Sequence, residues 1–426
     1  MNIFVTDSCN NNCPYCFAQE FMHHRIELSE ENAMNFIAFL KRNKKELHKV
    51  LPELNIMGGE PFLYKKLGWF IKKIKSSREK LVNDFIIFTG GIFPTKNLEL
   101  LNGVGNVEVC LNLNEKKTYA SENAYNLVIK NLKTMIDKKY LQVGLGYNIA
   151  SLDFNGEEII DTAKRFGIDH LRIAIASPVY GSDNPHIVHP EQYKELSPKV
   201  FKFIQKCHAN GLRVNLDCRI PYCFFTERQI GWFVTHNQHI SEGIKSCACG
   251  GGPLCISPDL KVSKCTVFHT TNADLEMFSS VYDINGWVLN AIDHKFGNPD
   301  LFPKCETCPH KKRCSGGCPA WKQNFLDKPD EWEDTNKWID LLNTNIRLHS
   351  KYCETQDCTV YDDFIRNGRL IKQVFESFHR KNDPEMLYYM FLYYKRTGNS
   401  KLSRRYKRKA IHHGLSQELE ATFNSY

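Results

Sequence analysis

Short apolar runs alternate with amphipathic stretches through the first half of the chain. Each run is bounded by polar residues, Gly or Pro and is rich in Ile, Val, Leu and Phe, which is typical of buried β-strands. The predicted strands are Asn2–Thr6, Leu54–Met57, Phe85–Thr89, Val107–Leu113, Gln142–Ile149, Leu171–Ala176 and Arg213–Leu216. The intervening stretches are amphipathic at helical spacing, and the predicted helices include Ser29–Val50, Tyr64–Lys80, Asn123–Lys139 and Gly156–Phe166.

This alternation of strand and helix predicts parallel βα units. Six or seven such units within ~220 residues favour a barrel or partial barrel over an open sheet, and the chemistry of barrels gathers at the C-terminal ends of the strands. We therefore predict an α/β fold that begins with a partial (β/α)6-type TIM barrel. Two sharp motifs follow the first and second predicted strands, which is where a barrel would place a functional site.

The pattern changes twice further along the chain. From about Gly243 the sequence becomes dense in Cys, Gly and Pro, and such a segment needs metal to hold its shape. After Tyr361 the cysteines stop, and helical, aromatic and basic sequence takes over. We predict three domains: a barrel over 1–240, a Cys-rich domain over 241–360 and a basic helical tail over 361–426.

Composition and cysteine usage narrow the class of protein. The chain has 426 residues, of which 42% are apolar and 24% charged, as in globular proteins. It contains no run of ~18 apolar residues, so we expect no membrane span, and we expect no signal peptide at the N-terminus. The seventeen cysteines are clustered. In a reducing cytoplasm, where we expect the protein to stay, such clusters are metal ligands or catalysts.

The first motif is the spacing C-x3-C-x2-C formed by Cys9, Cys13 and Cys16. Three thiolates this close can surround one iron–sulfur cube and leave its fourth iron without a protein ligand. A zinc knuckle is the alternative, but zinc prefers four ligands, and only His23 and His24 lie nearby in the sequence. The spacing, the aromatic residue after it and its place after the first strand resemble the radical S-adenosylmethionine (SAM) superfamily.

The second motif is the sequence Gly58-Gly59-Glu60-Pro61, about 40 residues after the cysteines. Glycines let a backbone approach a ligand closely, and Glu60 adds a carboxylate at the barrel mouth. The resemblance implies that this stretch receives the methionine ammonium group of SAM. It also suggests cofactor contacts for Asn112, where the family usually has Asp, and for Asn148 at the end of the next strand.

The later cysteines form the pattern C-x2-C-x5-C-x3-C with others around it. The ensemble resembles the SPASM domain, which carries two auxiliary [4Fe–4S] clusters, although Leu260 stands where the family usually has Gly. The resemblance implies a first auxiliary cluster on Cys247, Cys255, Cys265 and Cys318, and a second on Cys305, Cys308, Cys314 and Cys353. Cys249 is an alternative to Cys247 or Cys255, and Cys358 to Cys353. A pair of structural zinc ions is the competing interpretation.

Together these motifs imply an enzyme with three [4Fe–4S] clusters that cleaves SAM to a 5′-deoxyadenosyl radical and takes hydrogen from its substrate. We expect a peptide or protein substrate, an external one-electron reductant of the flavodoxin or ferredoxin type, and no nucleic acid. Maturation of a ribosomally made peptide is the leading hypothesis. Sulfatase maturation is less favoured, because Thr266 stands where that group typically has Asp. Small-molecule dehydrogenation, electron transfer and a zinc-structural role are competing hypotheses.

Two further residues are candidate catalytic groups, both near the last predicted barrel strand. Cys223 is a candidate hydrogen-atom donor or cluster ligand, with a buried structural thiol as the alternative. Asp217 is a candidate base with the same alternative.

The net charge of +8 is concentrated in the tail. Between Ile365 and His413 there are thirteen Lys/Arg and three acids, a local charge of +10. Such a tail can bind an acidic partner, nucleic acid or anionic lipid, or it can be a solvated helix face. Within it we predict a helix that begins at Asp383-Pro384 and a second over Ser400–His413, which serve as a structural cap or as a docking surface for a peptide.

Overall fold

The computed structural model describes most of the chain. The described residues are 1–11, 13–16, 18, 25–139, 141–176, 187–189, 192–217, 220–236, 254–269, 271–293, 305, 307–309, 314, 318, 335–377 and 384–413. They belong to two compact units, Met1–Asn324 and Phe325–Tyr426.

The first unit is built around a ten-stranded sheet with the order β10-β9-β8-β1-β2-β3-β4-β5-β6-β7. The strands are β1 Asn2–Phe4, β2 Leu51–Met57, β3 Val82–Thr89, β4 Val107–Asn112, β5 Leu141–Ile149, β6 His170–Ile175, β7 Arg213–Asp217, β8 Cys255–Ile256, β9 Lys261–Ser263 and β10 Asn272–Asp274. Neighbours from β1 to β7 pair in parallel. All seven predicted strands are therefore confirmed, with ends that differ by up to three residues.

Helices connect most of these strands. They are α1 Glu30–Leu47, α2 Leu67–Lys75, α3 Glu122–Asp137, α4 Glu157–Phe166, α5 Tyr193–Ala209, α6 Glu227–Thr235 and α7 Val281–Val288. The predicted start of α1 is confirmed, because the Ser29 hydroxyl accepts a hydrogen bond from the Asn32 N–H at 3.0 Å. Between β3 and β4 the connection is a 3₁₀ helix, Thr95–Leu101, rather than an α-helix.

The strands of the barrel have two different faces. Every second position holds an apolar residue with no exposed area, such as Ile56, Ile87, Val109, Leu145 and Ile173. The intervening positions include polar, charged or small residues such as Asn55, Cys110, Asn112, Gly146 and Arg172, beside the partly exposed Ile86 and Phe88 of β3. Parallel strands that bury both faces read as continuous apolar runs. This alternation instead leaves one polar face for a site.

The sheet continues from the barrel into the Cys-rich region. Strand β8 pairs in parallel with β1, so that Cys255 lies opposite Asn2. Strands β9 and β10 extend the sheet antiparallel from β8. In the β8–β9 turn, Leu260 has φ 62°, the left-handed conformation that favours the family's usual Gly. The hairpin therefore keeps its form despite the substitution, at a cost in backbone strain.

The described part of the second unit contains four helices, α8 Thr335–Thr355, α9 Cys358–Ser377, α10 Pro384–Arg396 and α11 Ser400–His412. Their shared core contains Leu342, Ile371, Tyr388, Met390 and Ala410. The two predicted tail helices are confirmed, and they pack with α8 and α9 rather than as a lone pair.

The three predicted domains keep the status of predictions. The boundary at 240/241 lies outside the described residues, and the boundary at 360/361 falls within α9. In the part of the chain that the structure describes, no helix is both long enough and apolar enough to cross a membrane.

Candidate functional site

The cysteine loop and the Gly-Gly-Glu turn are joined through their main chains at the C-terminal edge of the sheet. The Gly59 N–H donates to the Thr6 carbonyl at 2.8 Å, and the Glu60 N–H donates to the Ser8 carbonyl at 2.8 Å. Ser8 immediately precedes Cys9, the first cysteine of the loop. The structure therefore brings together the two motifs that the sequence places about 40 residues apart.

The two glycines are required by this close approach. A Cβ atom on Gly58 would lie 2.5 Å from the Thr6 carbonyl oxygen, and one on Gly59 would lie 2.3 Å from that of Ser8. Both distances are below van der Waals contact with backbone atoms that cannot move aside easily. The sequence suggests that glycine frees the backbone for a ligand. The structure adds that the protein itself fills the space next to both residues.

Glu60 links the second and third strand ends. Its carboxylate is buried and accepts hydrogen bonds from the Thr89 hydroxyl at 2.8 Å, the Gly90 N–H at 3.0 Å and the Phe62 N–H at 3.1 Å. Burial raises the pKa of Glu60 to about 7, against the opposing effect of these donors. The carboxylate thus holds the rim of the barrel together, and its predicted contact with SAM remains a prediction.

Tyr15 attaches the cysteine loop to the fourth and fifth strands. The Asn114 side-chain amide donates a hydrogen bond to the Tyr15 hydroxyl. The side chain of Asn148 also bonds this hydroxyl, and the Asn148 N–H donates to Asn114 Oδ1 at 3.4 Å. Burial raises the pKa of Tyr15. The sequence predicts a cofactor contact for Asn148, and here its side chain positions the loop that carries the cysteines.

None of the three thiols of the loop forms a disulfide within the described residues. The Cys16 N–H donates to the Cys13 carbonyl at 3.0 Å and closes a turn. Cys9 Sγ accepts from the Asn11 N–H at 3.3 Å, and Cys16 Sγ accepts from the Ala18 N–H at 3.4 Å. Burial raises the pKa of the Cys9 thiol to about 12 and that of Cys13 to about 11. These thiols are therefore protonated at neutral pH until a metal displaces the protons.

The donor set fits an iron–sulfur cluster. Three thiols on one loop, two of which accept backbone N–H bonds, are the ligands that such clusters use. Within the described ranges, no three His, Cys, Asp or Glu side chains lie close enough together to hold one metal ion. The fit thus depends on the chemistry of the donors and on their place at the rim.

A second observation supports a cofactor on the polar face. Asn112 Oδ1 is buried, and no described residue forms a hydrogen bond with it. Asn112 pairs in register with Gly146 on β5, where a Cβ atom would lie 2.4 Å from Asn112 Oδ1 and 3.3 Å from Cys110 Sγ. A buried oxygen without a partner is costly, so a hydrogen-bonding ligand at this position would relieve it. The sequence predicts a SAM contact for Asn112, and the orphaned oxygen fits that role.

Asp217 forms an ion pair on the same polar face. Arg172 Nε donates to Asp217 Oδ2 at 2.7 Å, and the guanidinium group lies 5.3 Å from the ring centre of Phe88. Asp217 therefore accepts a charge-assisted hydrogen bond from a cationic partner on the neighbouring strand. A base role for Asp217 stays a prediction.

Comparison with known families identifies the kind of domain that contains these rim residues. Residues 3–115, which contain the cysteine loop, the glycine turn and Asn112, match the family model described as the Radical SAM superfamily. The chain carries a radical SAM domain. The expectation from the two motifs is therefore confirmed, and with it the implication of a [4Fe–4S] cluster and SAM. The number of clusters is not decided by this match.

Two relatives illustrate how the similarity is spread. The radical SAM cyclopropyl synthase TigE of Paramaledivibacter caminithermalis is 22% identical over 345 residues, which are 75% of this chain and 67% of TigE. A probable GTP 3′,8-cyclase of Methanococcus aeolicus is 24% identical over 39% of this chain and 56% of its own length. The chain thus spans about two thirds of one relative and little more than half of the other.

Solved structures share the fold beyond the radical SAM domain. Streptococcus suis SuiB bound to the precursor peptide SuiA superposes with a TM-score of 0.50 and 17% identity, over 77% of this chain and 72% of SuiB. Native anSMEcpe with bound AdoMet and the Kp18Cys peptide gives 0.51 and 17%, over 75% of this chain and 88% of that one. At this identity the likeness shows the fold, and it confirms the predicted α/β fold class.

Three of the four cysteines predicted to hold the first auxiliary cluster lie among the described residues. Cys265 and Cys318, which are 53 residues apart in the sequence, pack on the same small apolar cluster of Val267, Phe268 and Ile292. Cys255 is buried in β8, where its Sγ accepts a hydrogen bond from the Asn2 side chain at 3.3 Å. Cys247 and its alternative Cys249 lie outside the described residues.

Cys223 lies close to the predicted auxiliary ligands. It is exposed, in the turn Tyr222–Phe224 that follows β7. The Tyr222 N–H donates to Cys314 Sγ at 3.1 Å. Burial raises the pKa of Tyr193, and the nearby thiols of Cys318 and Cys223 add to that effect. The proximity favours a role beside a cluster over a buried structural thiol, although the role itself stays a prediction.

The remaining predicted ligands lie on separate segments. Cys305 and Cys308 form a turn in which the Cys308 N–H donates to the Cys305 carbonyl at 3.3 Å. Cys353 is exposed on α8 in the second unit, with its Sγ 3.9–4.0 Å from the ring nitrogens of His349. Its alternative, Cys358, begins α9. The assignment of Cys305, Cys308, Cys314 and Cys353 to one second auxiliary cluster stays a prediction.

Sequence reasoning missed three residues of the rim. Tyr15 lies inside the cysteine motif, and its partner Asn114 lies two residues beyond Asn112, which is the last residue of β4. The period of two along β4, continued past its end, places Asn112 and Asn114 on one side of the chain, and this signal points to both. Thr89 ends its strand as a polar residue after Phe85–Phe88, which is the same kind of signal.

Proposed function

We propose that the chain is a radical SAM enzyme that abstracts hydrogen from a peptide substrate and matures a ribosomally synthesised peptide. The observation that carries the proposal is the direct main-chain link between the cysteine loop and the Gly58–Pro61 turn at the barrel rim. The relatives supply support, since SuiB and anSMEcpe were each solved with a peptide. TigE is named as a cyclopropyl synthase.

Cys9, Cys13 and Cys16 would hold the cluster, and the turn together with Asn112 would hold SAM. When bound, these groups supply reductive cleavage of SAM and a 5′-deoxyadenosyl radical. The chain's own residues orient the reaction: Tyr15 fixes the loop to the strand ends, and Glu60 closes the rim between β2 and β3. The polar inner face, with Arg172 and Asp217, would line the substrate side. Positioning of this kind contributes much of the rate of such reactions.

The single electron for each cleavage must come from outside the chain. We propose a flavodoxin- or ferredoxin-type donor, with Cys255, Cys265, Cys318 and the Cys305–Cys314 group as ligands of auxiliary clusters. The cytoplasmic location expected from the clustered thiols belongs to the same proposal.

The test uses the full chain, reconstituted anaerobically with iron and sulfide. With SAM and dithionite we expect 5′-deoxyadenosine and methionine in equal amounts. With the peptide encoded by a neighbouring gene, made with deuterium at its side-chain and α positions, we expect deuterium in the 5′-deoxyadenosine and an altered peptide.

Each competing function predicts a different outcome. An electron-transfer or zinc-structural protein would form no 5′-deoxyadenosine. A small-molecule dehydrogenase would cleave SAM and leave every peptide unaltered. A sulfatase-maturing enzyme would act on a sulfatase peptide and not on the neighbouring one.

A further inference from the structure

Helix α11 exposes a continuous basic stripe, which we define as Lys401, Arg404, Arg405, Arg408 and Lys409 and call the basic face of α11. All five side chains are exposed. The opposite side of the helix carries Ser403, Tyr406 and Ala410, which are buried in the core of the second unit. The helix is therefore fixed by one side, and the charges are presented to solvent by the other.

Within the described residues, none of the five cations of this face forms an ion pair. Arg404 and Arg408 only donate to carbonyl oxygens one turn back along the helix. By contrast, Lys395 and Lys407 lie 5.9 and 5.4 Å from the ring centre of Phe391.

The surrounding sequence does not balance the charge. From Pro384 to His413 there are eight Lys/Arg and a single acid, Glu385, which leaves a charge of +7. Like charges in one helix repel each other and lower the stability of the compact state. A face that costs stability and forms no ion pair among the described residues is best explained by an acidic partner.

We propose that the basic face of α11 binds an acidic segment of the peptide substrate in an extended conformation. Residues four apart on a helix are ~6 Å apart along its axis, and alternate residues of an extended chain are ~6.6 Å apart. Carboxylates at every second position of a peptide therefore match the pairs Arg404/Arg408 and Arg405/Lys409. This inference rests on the proposed function, because it names the substrate's chemistry.

Nucleic acid and membrane fit this face less well. Single-stranded nucleic acids are held by aromatic side chains next to the charges, and the aromatic residue of α11, Tyr406, is buried. A membrane-surface helix needs a broad apolar face as well as its cations. Along α11, Ile411 is the exposed large apolar residue, and it stands alone.

The test measures binding of a fluorescein-labelled peptide of four Glu-Ser repeats to the reconstituted full chain between 50 and 300 mM salt, with a Gln-Ser peptide as the neutral comparison. The test variant is Arg404→Gln, Arg405→Gln, Arg408→Gln and Lys409→Gln. The matched control removes four exposed cations from or just after α1: Lys41→Gln, Arg42→Gln, Lys45→Gln and Lys49→Gln. Both variants change the net charge by the same amount.

At low salt we expect the test variant to bind the Glu-Ser peptide at least ~10-fold more weakly than wild type, and the control variant to bind within ~2-fold of wild type. The difference should shrink as the salt concentration rises, because salt screens the attraction between exposed charges. Equal affinities of the two variants would overturn the proposal, as would tighter binding of a 12-mer oligonucleotide or of phosphatidylserine vesicles that depends on the same four residues. Formation of 5′-deoxyadenosine without peptide should be unchanged in both variants. If wild type forms none, the proposed function fails, whereas a failed docking surface leaves it intact.

Discussion

The two C-x2-C turns of this protein are locally alike and differ in what surrounds them. In both, the N–H of the second cysteine donates to the carbonyl of the first, at 3.0 Å for Cys13–Cys16 and 3.3 Å for Cys305–Cys308. The first turn is held by the ends of four other strands, through Gly59, Glu60 and the Tyr15 hydroxyl. The second turn follows no described strand.

The spacing of two cysteines alone therefore does not assign their chemistry. A C-x2-C turn presents two thiols, and either turn can hold iron or zinc. The rim adds a buried glutamate, two glycines against the main chain and an asparagine oxygen without a partner. These surroundings, rather than the turn, support cleavage of SAM at the first site.

The largest expected effect separates the two turns by substitution. Cys13→Ala should lower 5′-deoxyadenosine formation to below ~1% of wild type, because two thiolates do not hold a cluster with one open iron. Cys308→Ala should keep cleavage within ~3-fold of wild type and lose the peptide product, since its cluster is auxiliary. The measurement is single-turnover product analysis with dithionite. Equal loss of cleavage in both variants would erase the distinction.

The second prediction concerns the pH dependence of folding stability that Glu60 gives to the rim. Its pKa of about 7 in the fold lies above its ordinary 4.5, so the folded state binds more protons between these values. The stabilisation is complete below pH 4.5 and is lost as the pH rises through 7, a loss of about 3 kcal/mol. Against Glu60→Gln, wild type should lose thermal stability from pH 5 to 8. Parallel melting curves would show that the carboxyl is not buried as described.

Gly59 tests whether the rim is as tightly packed as the distances indicate. Gly59→Ala places a Cβ 2.3 Å from the Ser8 carbonyl oxygen and should cost about 1–3 kcal/mol of stability with a loss of SAM cleavage. Gly231→Ala is the matched control, because nothing lies within 4 Å of its Cβ in α6. That control should be neutral or slightly stabilising. Both are measured by denaturant unfolding under anaerobic conditions.

Leu260 gives the smallest effect, in the opposite direction. Its φ of 62° strains a side chain that glycine would not carry. Leu260→Gly should therefore raise stability by about 1 kcal/mol. SAM cleavage should be unchanged, because the backbone hydrogen bonds of Leu260 are made to Ser257 and Leu275. A destabilised variant would indicate that the leucine side chain contributes more by packing than the turn loses by strain.

The strands and motifs could be predicted well from the sequence because both depend on local pattern. Alternating apolar runs determine where strands lie, and the cysteine and glycine motifs are contiguous. The structural features that the sequence does not predict depend on the register between distant segments, and the periodicity of one segment does not specify that register. The pairing of Cys255 with Asn2 across β8 and β1, and the bond from Thr89 to Glu60, are of this kind. The sequence places the Glu60 carboxylate at the barrel mouth, but it does not reveal that the group is buried there.

The tail is a second region in which the sequence predicts the elements but not their packing. Its charge and both helices are predicted, whereas the core with Leu342 and Ile371 that orients α11 is not. That core buries one face of α11 and leaves the basic face exposed to solvent. A charge count alone could not separate a solvated face from a docking surface.

We propose that the loop of Cys9, Cys13 and Cys16 holds the cluster that binds SAM and that the auxiliary cysteines do not. Electron paramagnetic resonance of dithionite-reduced protein, before and after SAM is added, tests it most directly. With about twelve irons per chain in wild type and about eight in Cys308→Ala, both proteins should show a reduced [4Fe–4S] signal that shifts when SAM binds. Cys13→Ala should keep the auxiliary signals and show no shift. A shift that survives in Cys13→Ala, or stoichiometric zinc with about four irons, would contradict the account.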